Sequence, residues 1–280
     1  MSALPQGDVA PRAIALRTRG HRHGPITRLV SPSDIGELIK PFVFLDLMDA
    51  PAPEAPGFGW HPHSGIATLT VLQEGAGTYE ETTGARGTLS AGGVEWMRAG
   101  RGVWHTGSVT GTGHVKGFQL WIALPEDLEI AASHSRHLSA DEVPAAGAAR
   151  VILGVHEGIK SVIPAPAGIN YLDVLLEAGD IWTYRPPSGH MVAWLAVSAG
   201  KLQSSETLVA GELAVFEDAN HAITIRAEQA SRFVLGSAVK HPHDLVLGYY
   251  SVHTSRASLA AGEAEIRRIG DELQRAGKIS

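Results

Sequence analysis

The sequence has no cysteine among its 280 residues. Thiolate nucleophiles, thiolate metal ligands and disulfide staples are therefore all excluded. It also lacks any run of Lys and Arg. Its 23 basic residues stand against 29 acidic ones, a net charge of −6 with histidine neutral, so the electrostatic footprint of a nucleic-acid-binding surface is missing. No apolar stretch reaches the roughly 20 residues that span a bilayer. The opening Met1-Ser-Ala-Leu-Pro-Gln-Gly-Asp has neither the basic nor the apolar part of a secretory signal. A cytoplasmic protein that contacts neither membrane nor nucleic acid is expected. Hydrophobic residues make up 44% and charged residues 19%, which excludes a disordered chain. What the chain does have is 14 histidines, the side chains here best suited to a transition metal.

Length allows one or two domains at roughly 150 residues each. With 32 Gly and 16 Pro, the chain is built for short strands and turns. From Ile66 to about Leu124, apolar or β-branched runs are punctuated by glycine: Ile66-Ala-Thr-Leu-Thr-Val-Leu before Glu74-Gly75, then Gly77 to Thr82, then Val94-Glu-Trp-Met97, then His114 to Leu124. No helical period intervenes, which predicts an antiparallel sandwich or barrel. The layout returns at Met191 to Gly200 and at Ala210-Gly211-Glu-Leu-Ala-Val-Phe216, so two tandem barrels of one architecture are expected, with the boundary in the stretch from Glu126 to Ala149. The expected division is residues 1–130 for an N-terminal barrel and 131–280 for a C-terminal barrel plus a terminal helix. That helix is read from Ile266, Ile269 and Leu273 at helical spacing, with Ser258 as N-cap and Gly277 just past the end.

His61-Pro62-His63 precedes a strand. In an extended segment positions i and i+2 face one side, so both imidazoles can address one point. Pro62 stiffens the pair by fixing φ. His105 closes a glycine turn further on, and a barrel that brings it beside His61 makes a three-imidazole site suited to Fe, Ni, Cu, Zn or Co. An HxH pair alone is a weak signal: His21-Arg22-His23 and His241-Pro242-His243 have it too. The first of these sits in a polar turn, and the second has only His253 downstream, in a polar stretch. Both read as bystanders.

His61-Pro-His63-Ser-Gly65, Glu74-Gly75, the run Ala91-Gly-Gly-Val-Glu-Trp96-Met97-Arg-Ala99-Gly-Arg-Gly-Val-Trp-His105, and Gly117-Phe-Gln-Leu-Trp-Ile-Ala-Leu-Pro125 together resemble the pirin family of bicupins. The likeness is strong in the first half of the chain and a matter of layout in the second. It implies an all-β fold of two tandem cupin barrels with a C-terminal helix. It also implies one metal in the first barrel, usually iron, on His61, His63 and His105. Members of the family act as quercetin 2,3-dioxygenases or as iron-dependent partners of transcription factors. The chain departs from the family at two carboxylates. Gly107 stands where the family has its fourth ligand, and Ala67 where it has a glutamate in the strand after the dyad. Glu74, Glu80 and Glu81 lie on or beyond turns, outside the expected site. His114 falls on the opposite face of its strand from Gln119, the expected pocket residue. Trp96, Trp104 and Trp121 read as core or pocket lining, and Arg98 and Arg101 as surface.

Three neutral ligands leave a divalent ion at +2, with an open position for water or an exogenous anion and a preference for Fe(II) over Fe(III). The expected function is a metal-dependent dioxygenase of a flavonol-like phenolic or enolic small molecule, with Fe(II) as cofactor and Zn, Ni, Cu, Co or Mn as alternatives. The competing readings are a metal-loaded regulator that docks a protein partner, and a decayed site that binds an ion weakly.

Overall fold

The computed structural model describes residues 12–55 and 57–279. The glycine-punctuated runs become antiparallel strands arranged as two barrels of the same plan. In the first, a seven-stranded sheet runs in spatial order His134–Leu138, Val94–Arg98, Ile66–Glu74, His114–Ala123, Phe42–Pro51, Ile26–Val30, His21–His23. Its four-stranded companion is Phe58–His63, Val103–Thr110, Ala76–Glu81, Arg86–Ser90. The second barrel repeats the count. Its seven strands are Ile14–Thr18, Leu213–Phe216, Val192–Ala199, Ser231–Ala238, Ile169–Leu176, Ala149–Leu153 and Ala145–Ala146, and its four are Ile181–Tyr184, Ile223–Ala227, Lys201–Gln203 and Thr207–Val209.

Strand Ile66–Glu74 shows why the sequence did not alternate cleanly. One face, Ala67, Leu69 and Val71, packs in the apolar core between the barrels with Trp96, Phe118 and Trp194. The other, Thr68 and Thr70, turns into the first barrel. Both faces are covered, so both are buried. The second barrel is filled by Leu172, Val174, Leu195, Val197, Phe233 and Leu235. At one end its interior also holds a small polar network, in which Tyr184 Oη meets Ser237 Oγ at 2.5 Å and His190 Nδ1 lies 2.9 Å from the same hydroxyl.

A cut at residue 130 does not separate the two units. Strand Ile14–Thr18 pairs with Leu213–Phe216 of the second barrel, while His134–Leu138 pairs with Val94–Arg98 of the first. The terminal helix, Arg256–Arg275, also lies on the first barrel, where Trp104 Nε1 donates to the Ile266 carbonyl at 2.7 Å. Its N-cap is Ser255, not Ser258. The Ser255 residue is extended and its hydroxyl accepts from Ser258 N at 3.1 Å, so Ser258 already sits in the first turn. Gly277, at φ 68°, follows the C-cap as expected. The barrels are further tied by a buried carboxylate. Asp173 accepts from Arg150 at 3.1 Å, from Arg232 at 2.6 Å and from Gln73 Nε2 at 2.9 Å.

Candidate metal centre

His61 and His63 sit on strand Phe58–His63, and His105 is on its antiparallel neighbour Val103–Thr110, directly across from His61. The dyad therefore needs only strand geometry, and the third imidazole needs only that pairing. Ring centroids lie 5.1 Å apart for His61–His63, 4.3 Å for His61–His105 and 5.0 Å for His63–His105. One ligand nitrogen from each falls within 4.8 Å of the others.

Two tautomers are set by the backbone. His61 Nδ1 faces the Gly59 carbonyl at 2.7 Å and His63 Nδ1 the Tyr250 carbonyl at 3.1 Å. A carbonyl can only accept, so Nδ1 carries the proton and Nε2 is left bare in both rings. His63 Nε2 and His105 Nε2 stand 3.1 Å apart, close to the ~3.3 Å edge of a tetrahedron with 2.0–2.1 Å metal–nitrogen bonds. Burial, followed by the neighbouring His105, holds His61 down to about 4 and His63 well below the ordinary imidazole value. Both are neutral at physiological pH, the form a metal requires. Gly65, at φ 74°, lets the chain turn sharply after the dyad. A Cβ there would stand 2.0 Å from the Val252 carbonyl oxygen, so only glycine fits.

The surroundings differ from the sequence expectation in four places. Glu95 was passed over, yet its Oε1 lies 3.8 Å from His105 Nδ1. Its strand, Val94–Arg98, puts Val94 and Trp96 in the inter-barrel core and Glu95 on the other face, which the barrel closes over. Glu81 is not an exposed turn residue. It ends strand Ala76–Glu81 with its side chain fully buried, 3.2 Å from His137 Nε2. Burial raises its proton affinity, but His137, Ser135 and Thr83 outweigh this and hold it below the ordinary carboxylate value. Ala67 is the third difference. It faces the second barrel with Leu69, so by strand parity a carboxylate there points away from the histidines.

The fourth is His253, which is buried rather than set in a polar stretch. Its Nε2 lies 2.9 Å from Ser64 Oγ and its Nδ1 3.5 Å from Glu129. This Ser–His–Glu order resembles a hydrolase relay, but it is sealed. A Cβ on Gly262 of the terminal helix would lie 2.5 Å from Ser64 Oγ, which leaves no space for a substrate. Its role is to fasten the C-terminal segment to the first barrel.

Gln119 and Trp121 share the interior face of strand His114–Ala123. Gln119 accepts from Thr70 Oγ1 at 2.8 Å, and Trp121 meets the His63 ring at 4.9 Å. Gly107 shares the side of His105, since the two pair with Tyr79 and Glu81 of one strand. His114 is half-exposed and bound to Asp49 at 2.6 Å, away from the cluster. His21 and His23 are exposed, whereas His241 is buried against the Leu124 carbonyl. Trp96 is core, Arg98 donates to the Ala132 carbonyl at 3.1 Å, and Arg101 is exposed. Sequence reading also missed Tyr250. Its backbone has φ 53°, and its ring lies 5.6 Å from His61 and 6.2 Å from Trp121.

Two antiparallel barrels in tandem, with a histidine cluster inside the first, define a bicupin. Comparison with known proteins agrees. The pirin family model matches residues 25–122. A pirin-like protein of Caulobacter vibrioides is 30% identical over 75% of this chain and 79% of its own length. A Pseudomonas aeruginosa protein, named provisionally as a quercetin 2,3-dioxygenase, is 32% identical over 80% of this chain and 83% of its own. The crystal structure of quercetin 2,3-dioxygenase from Acinetobacter baumannii superposes with a TM-score of 0.84 at 23% identity, over 92% of this chain and 98% of that one. The chain belongs to the pirin family. Among its described residues, no helix is long and apolar enough to cross a membrane.

Proposed function

We propose that His61, His63 and His105 hold one divalent transition metal, iron(II) in the working protein, and that the centre serves a dioxygenase acting on a small phenolic or enolic molecule in the cytoplasm. The observation that carries this reading is the convergence of three imidazoles on one point, with the bare Nε2 of His63 3.1 Å from His105 Nε2 and that of His61 beside them. His61 and His63 each turn a bare, buried Nε2 toward that point, and a shared cation satisfies both lone pairs at once. The donor set fits a borderline divalent ion. Such an ion, when bound, supplies a Lewis-acidic centre with positions open to an oxygen ligand.

The chain's own residues supply the rest. The Gly59 and Tyr250 carbonyls fix the tautomers, and the Glu95 carboxylate faces the far nitrogen of His105 and orients that ring. Trp121 and Tyr250 offer aromatic faces to a planar ring. Gln119, held by Thr70, offers an amide to a hydroxyl or carbonyl, and Gly107 leaves room beside His105. The name carried by the Pseudomonas relative supports a flavonol-like substrate.

The test is elemental analysis of freshly purified protein combined with oxygen uptake in the presence of quercetin. Expected are one equivalent of metal on the triad, its loss in His63→Ala, and oxygen uptake that depends on the metal. Full occupancy without oxygen uptake would overturn the dioxygenase reading, and metal retained in His63→Ala would overturn the site.

A further inference from the structure

Behind the histidine triad the first barrel holds a second set of donors. Glu81, Glu95 and His137 come from three different strands and offer one ligand atom each within 4.8 Å of the others. The side chains of Glu81 and Glu95 are 0% and 10% exposed. Three atoms in this set are buried with no hydrogen-bond partner: Glu81 Oε1, Glu95 Oε1 and His137 Nε2. Glu81 Oε1 and His137 Nε2 approach to 3.2 Å, but out of line for a hydrogen bond. Other atoms of the same groups are well held. Glu81 Oε2 accepts from Thr83 at 2.7 Å and from Ser135, Glu95 Oε2 lies 3.3 Å from the Thr70 hydroxyl that donates to Gln119, and the His137 ring stacks on Tyr79 at 3.9 Å. The side chains are therefore fixed, and the atoms left over point at one another.

Two buried carboxylates and an imidazole with unused lone pairs are costly unless something satisfies them. We propose that Glu81, Glu95 and His137 form a second divalent-cation site, beside the histidine triad and distinct from it. Two carboxylates cancel the charge of the ion. With one imidazole they make a harder donor set than the triad, suited to Mn(II), Fe(II) or Zn(II). Metal–ligand bonds of about 2.0–2.2 Å need donors roughly 3–4 Å apart, so shifts of about an ångström close the shell. A surface groove between the terminal helix and strand Ala76–Glu81 borders Glu81. Glu95 borders both sites, with Oε1 in the second and only 3.8 Å from His105 in the first. Occupation of one site therefore changes the field at the other. The proposal does not rest on metal binding by the triad.

The test is equilibrium dialysis of the chelator-stripped, full-length protein against zinc(II), with circular dichroism as the check on folding. Expected are two equivalents in the wild type, one in Glu81→Gln, one in His63→Ala and none in the double variant. His137→Asn serves in place of Glu81→Gln should that variant not fold. A wild type that binds one equivalent, retained in Glu81→Gln and lost in His63→Ala, overturns the second site and leaves the triad standing; the buried Glu81–His137 contact would then stand without a cation. Two equivalents in both wild type and Glu81→Gln overturn it equally. One equivalent lost in Glu81→Gln and kept in His63→Ala supports the second site and sinks the triad.

Discussion

Replacing Gly107 by glutamate tests the geometry of the triad at its most exposed assumption. Gly107 follows His105 by two residues on the same side of its strand, and its φ lies outside the left-handed region. A Cβ there would meet only the Thr78 carbonyl oxygen, at 3.1 Å. Glutamate is therefore accommodated with a small shift, and removing glycine from a strand returns about 0.5–1 kcal/mol of backbone entropy. A carboxylate about 4 Å from a divalent ion gains roughly 8 kcal/mol at an effective dielectric near 20. Ordering the side chain costs up to about 2 kcal/mol, and taking the carboxylate out of water costs several more. Repulsion from Glu95 and Glu81 subtracts further. A net gain of about 1.5–3 kcal/mol remains, which is roughly 10–100-fold in affinity. Anaerobic competition with a chelator measures it. The added anion also favours Fe(III), so the potential falls by about 59 mV for each tenfold preference. Unchanged affinity in a folded Gly107→Glu protein would refute the argument, because residue 107 would then not border the ion.

Asp173→Ala strips the buried anion from between Arg150 and Arg232 and leaves two partly buried guanidinium groups facing each other. A loss of about 3–5 kcal/mol in urea unfolding is expected, and less than 1 kcal/mol would mean that water already serves them. Trp104→Ala removes the ring packed on Gly270 and the hydrogen bond to Ile266. The expected result is a loss of about 2–4 kcal/mol, with proteolysis starting in the terminal helix; cleavage elsewhere first would contradict the docking argument. Burial lowers the proton affinities of His156, His190 and His241. In the unfolded chain they bind protons below about pH 6.5, which the native state refuses. Stability of the metal-stripped protein should therefore be flat above neutrality and fall from pH 6.5 towards 5, by up to about 1.4 kcal/mol per pH unit for each such group. A rise over that window would reverse the sign and refute it.

The parts of this fold that were legible in the sequence are those whose geometry is local. Glycine-bounded runs gave strands, and the dyad His61/His63 needs only the two-residue period of a strand. His105 was within reach because it lies across a single strand pair from His61. Glu95 was not, since a lone glutamate in Val94-Glu-Trp-Met97 looks like the solvent side of an edge strand. Its true environment depends on the sheet curling closed. The alternation itself is present, with Val94 and Trp96 on one face and Glu95 on the other. Ala67 shows the same rule from the other side, as strand parity alone separates it from Thr68 and the pocket. His253 lay beyond any local signal, because its partner Ser64 is 189 residues away. The domain cut failed for a related reason: the exchanged strand Ile14–Thr18 and the terminal helix reach across the chain, and neither carries a mark of where it docks.

That exchange explains how one barrel can hold so much buried polarity. The Glu81–Glu95–His137 set and the three imidazoles line the interior of the first barrel, whereas Leu172, Val174, Leu195, Val197, Phe233 and Leu235 fill most of the second. Carboxylates and imidazoles at such positions contribute little hydrophobic stabilisation and carry a desolvation cost. Had the two barrels been independent, the first would bear that cost alone. Instead a single apolar core spans both, with Phe42 against Trp194 at 5.3 Å, and the first barrel is bound to the second by Asp173. The second barrel, with its mainly apolar interior, thus acts as the stabilising partner of the pair. It follows that large-to-small substitutions such as Leu195→Ala or Phe233→Ala should lower the stability of the whole chain, while metal affinity measured on the remaining folded protein stays as it was.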